Sequence, residues 1–240
     1  MSILAATAAT VALKTNPSSP SQTWKYFIDH RSTTLSWLWS HTWLAALPVV
    51  LGLIISLPLG YLARRYRWIY PPVVTLAGVL YTIPSIALFV VMPSLLGTKT
   101  LDPINVAAAL TIYTVALLVR VVADGLAAVP AEVNQAATAM GYRRLQRLFK
   151  VELPIAVPVI AAGLRVAAVS NVSMVAVASA IGVPELGQLF ITGFQLSTPD
   201  AYYPPIILGL VGCILLATVF DVIIVLLNRM LTPWRRAVAR

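Results

Sequence analysis

Residues 130–154 read Pro130-Ala-Glu-Val-Asn-Gln-Ala-Ala-Thr-Ala-Met-Gly141-Tyr-Arg-Arg-Leu-Gln-Arg-Leu-Phe-Lys-Val-Glu-Leu-Pro154. Proline suits the first turn of a helix, where its missing N–H is not needed, and Glu132 complements the positive end of the helix dipole. Val133, Ala136, Ala137 and Met140 recur at spacings of three and four, which makes one apolar stripe. Gly141 interrupts. A second short helix follows, with Leu145, Leu148 and Phe149 apolar and Arg143, Arg144, Arg147 and Lys150 basic. Pro154 opens the next apolar run. Two short helices about a glycine joint predict a compact protruding element. By pattern alone it either rests on anionic lipid or docks a partner.

Its surroundings are apolar. Of 240 residues, 59% are hydrophobic and 10% charged, with a mean hydropathy of +0.86; an ordinary globular domain carries about 25% charged residues. That deficit excludes a typical soluble enzyme, a disordered chain and a nucleic-acid-binding domain. The single cysteine, Cys213, excludes a disulfide framework within the chain and a zinc site of several thiolates. A helix needs about 20 apolar residues to cross a hydrocarbon core of about 30 Å. Five segments meet that length: residues 43–63, 73–96, 106–122, 154–181 and 206–227. The predicted fold class is therefore all-α, a polytopic membrane protein with about five transmembrane helices.

The net charge of +9 is distributed as topology signals. Arg64, Arg65 and Arg67 follow the first span, the 130–154 element follows the third, and Arg229, Arg235, Arg236 and Arg240 follow the fifth. The alternate loops carry only Lys99 beside Asp102, and Glu185 with Asp200. The excess of cations predicts the N-terminus outside, the C-terminus in the cytoplasm, and the 130–154 element on the cytoplasmic face. Lys14, Lys25 and Arg31 oppose this more weakly. The expected organisation is an extracytoplasmic tail over residues 1–41 with an interfacial helix around 24–39, a transmembrane domain over 42–228 containing a loop at 125–153, and a basic cytoplasmic tail over 229–240.

So placed, the element resembles the cytoplasmic loop of bacterial ABC importer permeases, whose pattern is Glu-Ala-Ala, then Gly, then Ile-x-Leu-Pro. Gln135-Ala136-Ala137, Gly141 and Val151-x-Leu153-Pro154 match its spacing. Gln135 stands where the family usually has Glu, keeping size and hydrogen-bonding reach without the charge, and Val151 stands where Ile is frequent. Tyr81-Thr-Ile-Pro-Ser-Ile-Ala-Leu88, Gly163-Leu-Arg165 and Leu231-Thr-Pro-Trp-Arg235 resemble the osmoprotectant branch, over residues 35–236 in all. Ile181-Gly-Val-Pro-Glu-Leu-Gly187 keeps only part of that branch's glycine-rich stretch. The resemblance implies a type I ABC importer permease subunit that moves glycine betaine, choline, carnitine or proline betaine. It also implies a second permease chain, two ATPase subunits that carry ATP and Mg, and an extracytoplasmic solute-binding protein. This chain itself would bind no cofactor. Gln135, Ala136, Ala137, Gly141, Arg143, Leu153 and Pro154 would couple it to the ATPase. Permeases for amino acids, methionine or sulfonates, and a non-transporting membrane scaffold, are the alternatives.

No Gly-x-x-x-x-Gly-Lys-Ser/Thr occurs, so ATP hydrolysis belongs to a separate subunit. The spans offer no His-Glu-x-x-His and no Ser-His dyad, which argues against a membrane enzyme. His30 and His41 fall in the expected tail without carboxylate spacing and make no metal site. Each charge in a span costs about 2.5–3.5 kcal/mol on insertion scales. Arg165 and Asp221 are expected to pair between helices, in a structural or gating role. Tyr81, Thr82 and Ser85 around Pro84, with Ser170, Asn171 and Ser173, either line a translocation path or hydrogen-bond helix to helix. Pro84 is expected to kink its span.

Overall fold

A computed structural model of the chain describes residues 20–66, 68–196 and 202–234. The described residues are helical, with no strand among them. Ten α-helices are named here in chain order: α1 Pro20–Asp29, α2 Arg31–Arg65, α3 Tyr70–Thr82, α4 Ser85–Leu96, α5 Pro103–Ala127, α6 Ala131–Ala139, α7 Arg144–Arg147, α8 Leu153–Ala176, α9 Gln188–Gln195 and α10 Tyr203–Leu231. A π turn, Leu148–Glu152, joins α7 to α8, and a 3-10 turn, Val177–Ile181, follows α8. Four uninterrupted helical runs are long and apolar enough to cross a membrane, and α3 with α4 makes a fifth crossing if the bent pair counts as one.

The central helix is α5, which packs against α2, α3, α4 and α8. Asp102 caps it by accepting the Ile104 N–H at 3.0 Å, and Pro103 fills its first position. Its Val106, Leu110, Leu118 and Val122 are fully buried. Small residues on α2 allow α5 to come close. A Cβ on Gly60 would lie 2.6 Å from Val122 Cγ1, and one on Gly52 would lie 2.4 Å from Thr114 Cγ2. In a bilayer such contact is a main source of helix association, because lipid tails are as apolar as the side chains. By contrast α10 is apolar over most of its surface, with Asp221 its one acid, and is mostly exposed on the isolated chain, as a lipid- or partner-facing helix must be.

Four expectations are corrected. The boundary at residue 41 falls inside α2: residues 31–41 are helical and continuous with the first span. The single interfacial helix expected at 24–39 is two helices, α1 and the start of α2, meeting at His30. Residues 1–19 lie outside the described residues, as do Arg67, Asp200, Arg235, Arg236 and Arg240.

The second span is broken rather than kinked. Pro84 has no N–H to give and forces Ile83 into an extended conformation (φ −67°, ψ 130°), so α3 and α4 meet at 103°. The break strands carbonyl groups in an apolar setting. The Tyr113 hydroxyl on α5 donates to the Ile83 carbonyl, and Thr82 Oγ1 donates to Val79 at 2.7 Å.

The fourth correction concerns the second short helix of the protruding element. It is not separate from the fourth span: Arg144 to Ile181 forms one helical run of 38 residues. Pro154 cannot donate to the carbonyl four residues back. The widened turn over 148–152 absorbs that loss, with the Leu153 N–H reaching Leu148.

Candidate functional site

The loop between α5 and α8 is built as a braced elbow. Helix α6 ends in a Schellman turn: Gly141 takes φ +82°, its N–H donates to Thr138 at 3.0 Å, and the Tyr142 N–H donates to Ala137 at 3.1 Å. A Cβ on Gly141 would meet nothing within 4 Å, so the positive φ, not space, selects glycine here. The chain then enters α7, where the Gln146 side chain accepts the Arg143 N–H at 3.0 Å.

Glu152 is the hub of the elbow. Its side chain is 3% exposed and accepts from two guanidinium groups. Arg64, one residue before the end of α2, is the first. Arg147 Nε, at 2.8 Å, is the second. Arg147 also donates through Nη1 to Thr138 Oγ1 on α6 at 2.9 Å. One carboxylate therefore ties the end of α2, both short helices and the start of α8 together by charge-assisted bonds. Arg65 and Arg144 line the same cavity, of about 540 Å³, beside Tyr61 and Tyr66.

The expected coupling residues sit on this elbow. Gln135 and Ala136 are exposed on α6, Ala137 is buried, and Leu153 and Pro154 are half-buried at the start of α8. Met140, Leu145 and Phe149 are 63–69% exposed. Three large apolar side chains held out on a braced loop are open to a partner or to lipid and are not part of a core. The predicted stripe of α6 thus divides: Ala137 packs inward and Met140 points out.

Among the polar residues of the spans, Arg165 on α8 donates through Nε and Nη2 to both oxygens of Asp221 on α10, at 2.5 and 2.9 Å. A bidentate pair of this kind is planar and fixes the two helices in register. Tyr81 meets Tyr113 edge-to-face with centroids 5.8 Å apart. Tyr81, Ser170 and Asn171 line one cleft with Tyr113, Thr114 and Met174, too narrow to admit a water molecule. Thr82, Ser85 and Ser173 lie outside it. Asn171 is 2% exposed and donates to Thr114 Oγ1 at 2.9 Å, so its amide joins α8 to α5 beside the cleft.

A family model described as the binding-protein-dependent transport system inner membrane component matches residues 48–233. The chain belongs to this family. It is 37% identical over 211 residues to the osmoprotectant import permease protein OsmW of Salmonella typhimurium, covering 87% of this chain and 96% of that one. It is 28% identical over 211 residues to the glycine betaine/carnitine/choline transport system permease protein OpuCD of Bacillus subtilis, covering 88% and 90%. These relatives come from the branch that the span motifs resemble. Among solved structures, a chain of the MetNI methionine ABC transporter in an inward-facing conformation superposes with a TM-score of 0.70 at 22% identity, covering 89% of this chain and 99% of that one. That likeness establishes the fold, a type I importer permease. The chain is a non-catalytic permease subunit and a multi-pass inner-membrane protein.

Two features of this permease escape a reading of its sequence. Glu152 draws its partners from 88 and 5 residues away, and the hint in the sequence was a carboxylate just after the four cations of residues 143–150. His41 and Glu185 form a buried pair at the other end of the bundle, joining a residue assigned to a tail with one assigned to an outer loop.

Proposed function

We propose that this chain is the translocating subunit of an ATP-driven importer for a small osmoprotectant of the glycine betaine, choline, carnitine or proline betaine class. It would act with a second permease chain, an ATPase pair bearing ATP and Mg, and an extracytoplasmic solute-binding protein. Family membership and the solutes carried by the osmoprotectant relatives support the solute class. The positive charge of the elbow supports its cytoplasmic placement, with the N-terminus outside and the C-terminus inside.

The observation that carries the mechanism is the unbroken run from Arg144 to Ile181. ATP binding draws the ATPase pair together and displaces the elbow docked on it through Gln135, Ala136, Ala137, Arg143 and the exposed apolar side chains. Gly141 sets the angle between the two short helices, and Leu153 and Pro154 join the elbow to α8. Displacement at Arg144 therefore becomes a tilt of α8, because no flexible joint intervenes. The cleft lined by Tyr81, Ser170 and Asn171 then opens alternately to the two sides, with Thr82, Ser85 and Ser173 along the same route. The direction follows from differential binding of ATP to the two states. The Arg165–Asp221 pair keeps α10 moving with α8.

The test is reconstitution. Tagged chain is co-expressed with the candidate ATPase and binding protein and placed in liposomes. ATP-dependent accumulation of radiolabelled glycine betaine supports the reading. Recovery of the chain without any ATPase, or accumulation of methionine or a sulfonate in its place, refutes it.

A further inference from the structure

The cavity beside Glu152 gathers more positive charge than the brace of the elbow uses. Arg64, Arg65, Arg144 and Arg147 all line it, and Glu152 is the one carboxylate on its wall. Four guanidinium groups against one carboxylate leave three positive charges over. Glu152 already accepts from Arg64 and Arg147. Arg65 makes a long bond of 3.4 Å to the Tyr61 hydroxyl, and its guanidinium carbon lies 5.3 Å from the centre of the Tyr66 ring. Among the described residues the Arg144 side chain has no hydrogen bond and no ion pair.

Cations at the inner end of a span orient the chain, and that role asks only that they lie on one side of the bilayer. It does not ask that cations from the end of α2 and from α7 face one concave space, where they repel each other unless an anion lies between them. The guanidinium fork selects the anion. Its N–H groups match the oxygens of a phosphate two at a time. Arg144 has all five of its donors to offer, and the Tyr61 hydroxyl, which accepts from Arg65, keeps its own O–H to donate. A volume of about 540 Å³ falls within the range of ligand sites, about 300–1,000 Å³.

The surface of α2 indicates where that phosphate comes from. Leu51, Ile55, Leu59 and Leu62, spaced four, four and three, are each 38–40% exposed and lead along the helix to Arg65 and Tyr66 at its end. Gly52, Ser56, Gly60 and Ala63 are buried on the same helix, so the leucine and isoleucine row is an outer face. An acyl chain lying along that row brings its headgroup to the cavity. Trp68, 76% exposed, follows directly, and with Tyr61 and Tyr66 it sets amphipathic rings at the level where headgroups lie. A free phosphate ion has no use for the apolar row. Basic pockets between helices on the cytoplasmic side are suited to anionic headgroups.

We propose that this cavity binds the phosphate group of an anionic phospholipid of the inner leaflet, which bridges Arg65 on α2 and Arg144 on α7. The placement in the inner leaflet rests on the permease reading above. The bound phosphate ties the elbow to α2 by a second charge-assisted contact beside Glu152, so the bilayer itself becomes part of the brace. A zwitterionic phospholipid fits less well, because its ammonium group meets the same excess of guanidinium charge that attracts its phosphate.

The experiment is native mass spectrometry of the full chain in detergent, titrated in turn with phosphatidylglycerol, phosphatidylcholine and inorganic phosphate. Phosphatidylglycerol is expected to bind about tenfold more tightly than phosphatidylcholine. Arg65→Gln/Arg144→Gln should lose that preference. Arg120→Gln/Lys150→Gln removes the same charge from exposed positions outside the cavity and should keep it. Backbone exchange of residues 144–153 should be slower by about threefold or more in phosphatidylglycerol nanodiscs than in phosphatidylcholine nanodiscs, in wild type and not in the Arg65/Arg144 variant. Arg144→Gln alone replaces the double variant if that one does not insert. A preference that survives the cavity variant, or that the Arg120/Lys150 variant loses equally, overturns the proposal. So does inorganic phosphate binding as tightly as phosphatidylglycerol, which would make this a site for a free anion. Displacement of the lipid by the candidate ATPase overturns it too, by assigning the cavity to an acidic side chain of that subunit. Lipid binding is read without ATP or solute, so an empty cavity leaves the permease assignment standing, and a failed uptake assay leaves the lipid site measurable.

Discussion

Replacing Glu152 by glutamine keeps the volume of the elbow's hub and removes its charge. The carboxylate is 3% exposed, while Arg64 and Arg147 are 23% and 29% exposed. Breaking a fully buried ion pair costs about 3–5 kcal/mol. Here the guanidinium groups keep some water and the amide oxygen still accepts one N–H, which brings the expected cost to roughly 2 kcal/mol. That corresponds to an increase of about thirty-fold in the population with the elbow detached from α2. Exchange of the backbone amides of residues 144–153 through local opening should accelerate by the same factor. In the reconstituted complex, more ATP should be hydrolysed per solute imported, since the ATPase can then move the elbow and α8 without carrying α2 with them. Arg64→Met should produce part of the same effect, and the Arg64→Met/Glu152→Gln pair should be clearly non-additive. A rise in exchange of less than threefold, or additive single variants, would show that Glu152 does not hold the elbow.

Other outcomes follow from single contacts. Gly141→Ala meets open space, so its cost is the left-handed backbone alone, about 1–2 kcal/mol; a modest loss of uptake is expected, against complete loss with Gly141→Pro, which cannot reach φ +82° and forfeits the N–H bond to Thr138. Deleting residues 132–148 should likewise abolish uptake while leaving membrane insertion intact, as cell fractionation would report. Arg165→Ala should lower thermal stability by leaving Asp221 unpaired, and adding Asp221→Ala should recover part of it; a double-mutant cycle without coupling contradicts the pair. Gly60→Ala should destabilise by about 1–3 kcal/mol through overlap with Val122, seen as a lower unfolding midpoint in nanodiscs.

What a sequence discloses here is whatever depends on runs and local spacing. The spans emerge because about 20 apolar residues have few other uses. The elbow emerges because a glycine must end α6 where φ turns positive. Proline is less transparent. Pro84 breaks its helix by 103° whereas Pro154 passes within a continuous run, because a π turn precedes the second and an extended Ile83 precedes the first. A one-letter sequence contains both residues and neither outcome. Pairing across distance is equally hidden. His41 lies 144 residues from Glu185, and Arg64 lies 88 from Glu152, so nothing in either neighbourhood signals the partner. A histidine ahead of the apolar run looked like part of a tail because helix α2 begins at Arg31, twelve residues before hydropathy alone would start it.

The two buried carboxylates bracket α8, Glu152 directly before its first residue and Glu185 beyond its last, and that placement constrains how the permease moves. Glu152 fixes the lower end of α8 to α2 through Arg64, and the carbonyl of Val172 receives His41 of the same α2 some twenty residues further on. Between them α8 spans about 30 Å with a 1.5 Å rise per residue. A rigid rod pinned to its neighbour at both ends cannot tilt against that neighbour. So α2 and α8 must move as one body while both pins hold, and relative motion of the two requires one pin to release. The upper pin has no exposed surface, whereas the guanidinium groups of the lower one keep 23% and 29% of theirs, so water can replace the lower contact more readily. Release is therefore expected first at the lower end. Spin labels on α2 and α8 near each end should report it: the near-end distance should broaden first in mild denaturant while the far-end distance stays sharp, and broadening at the far end first would refute this order.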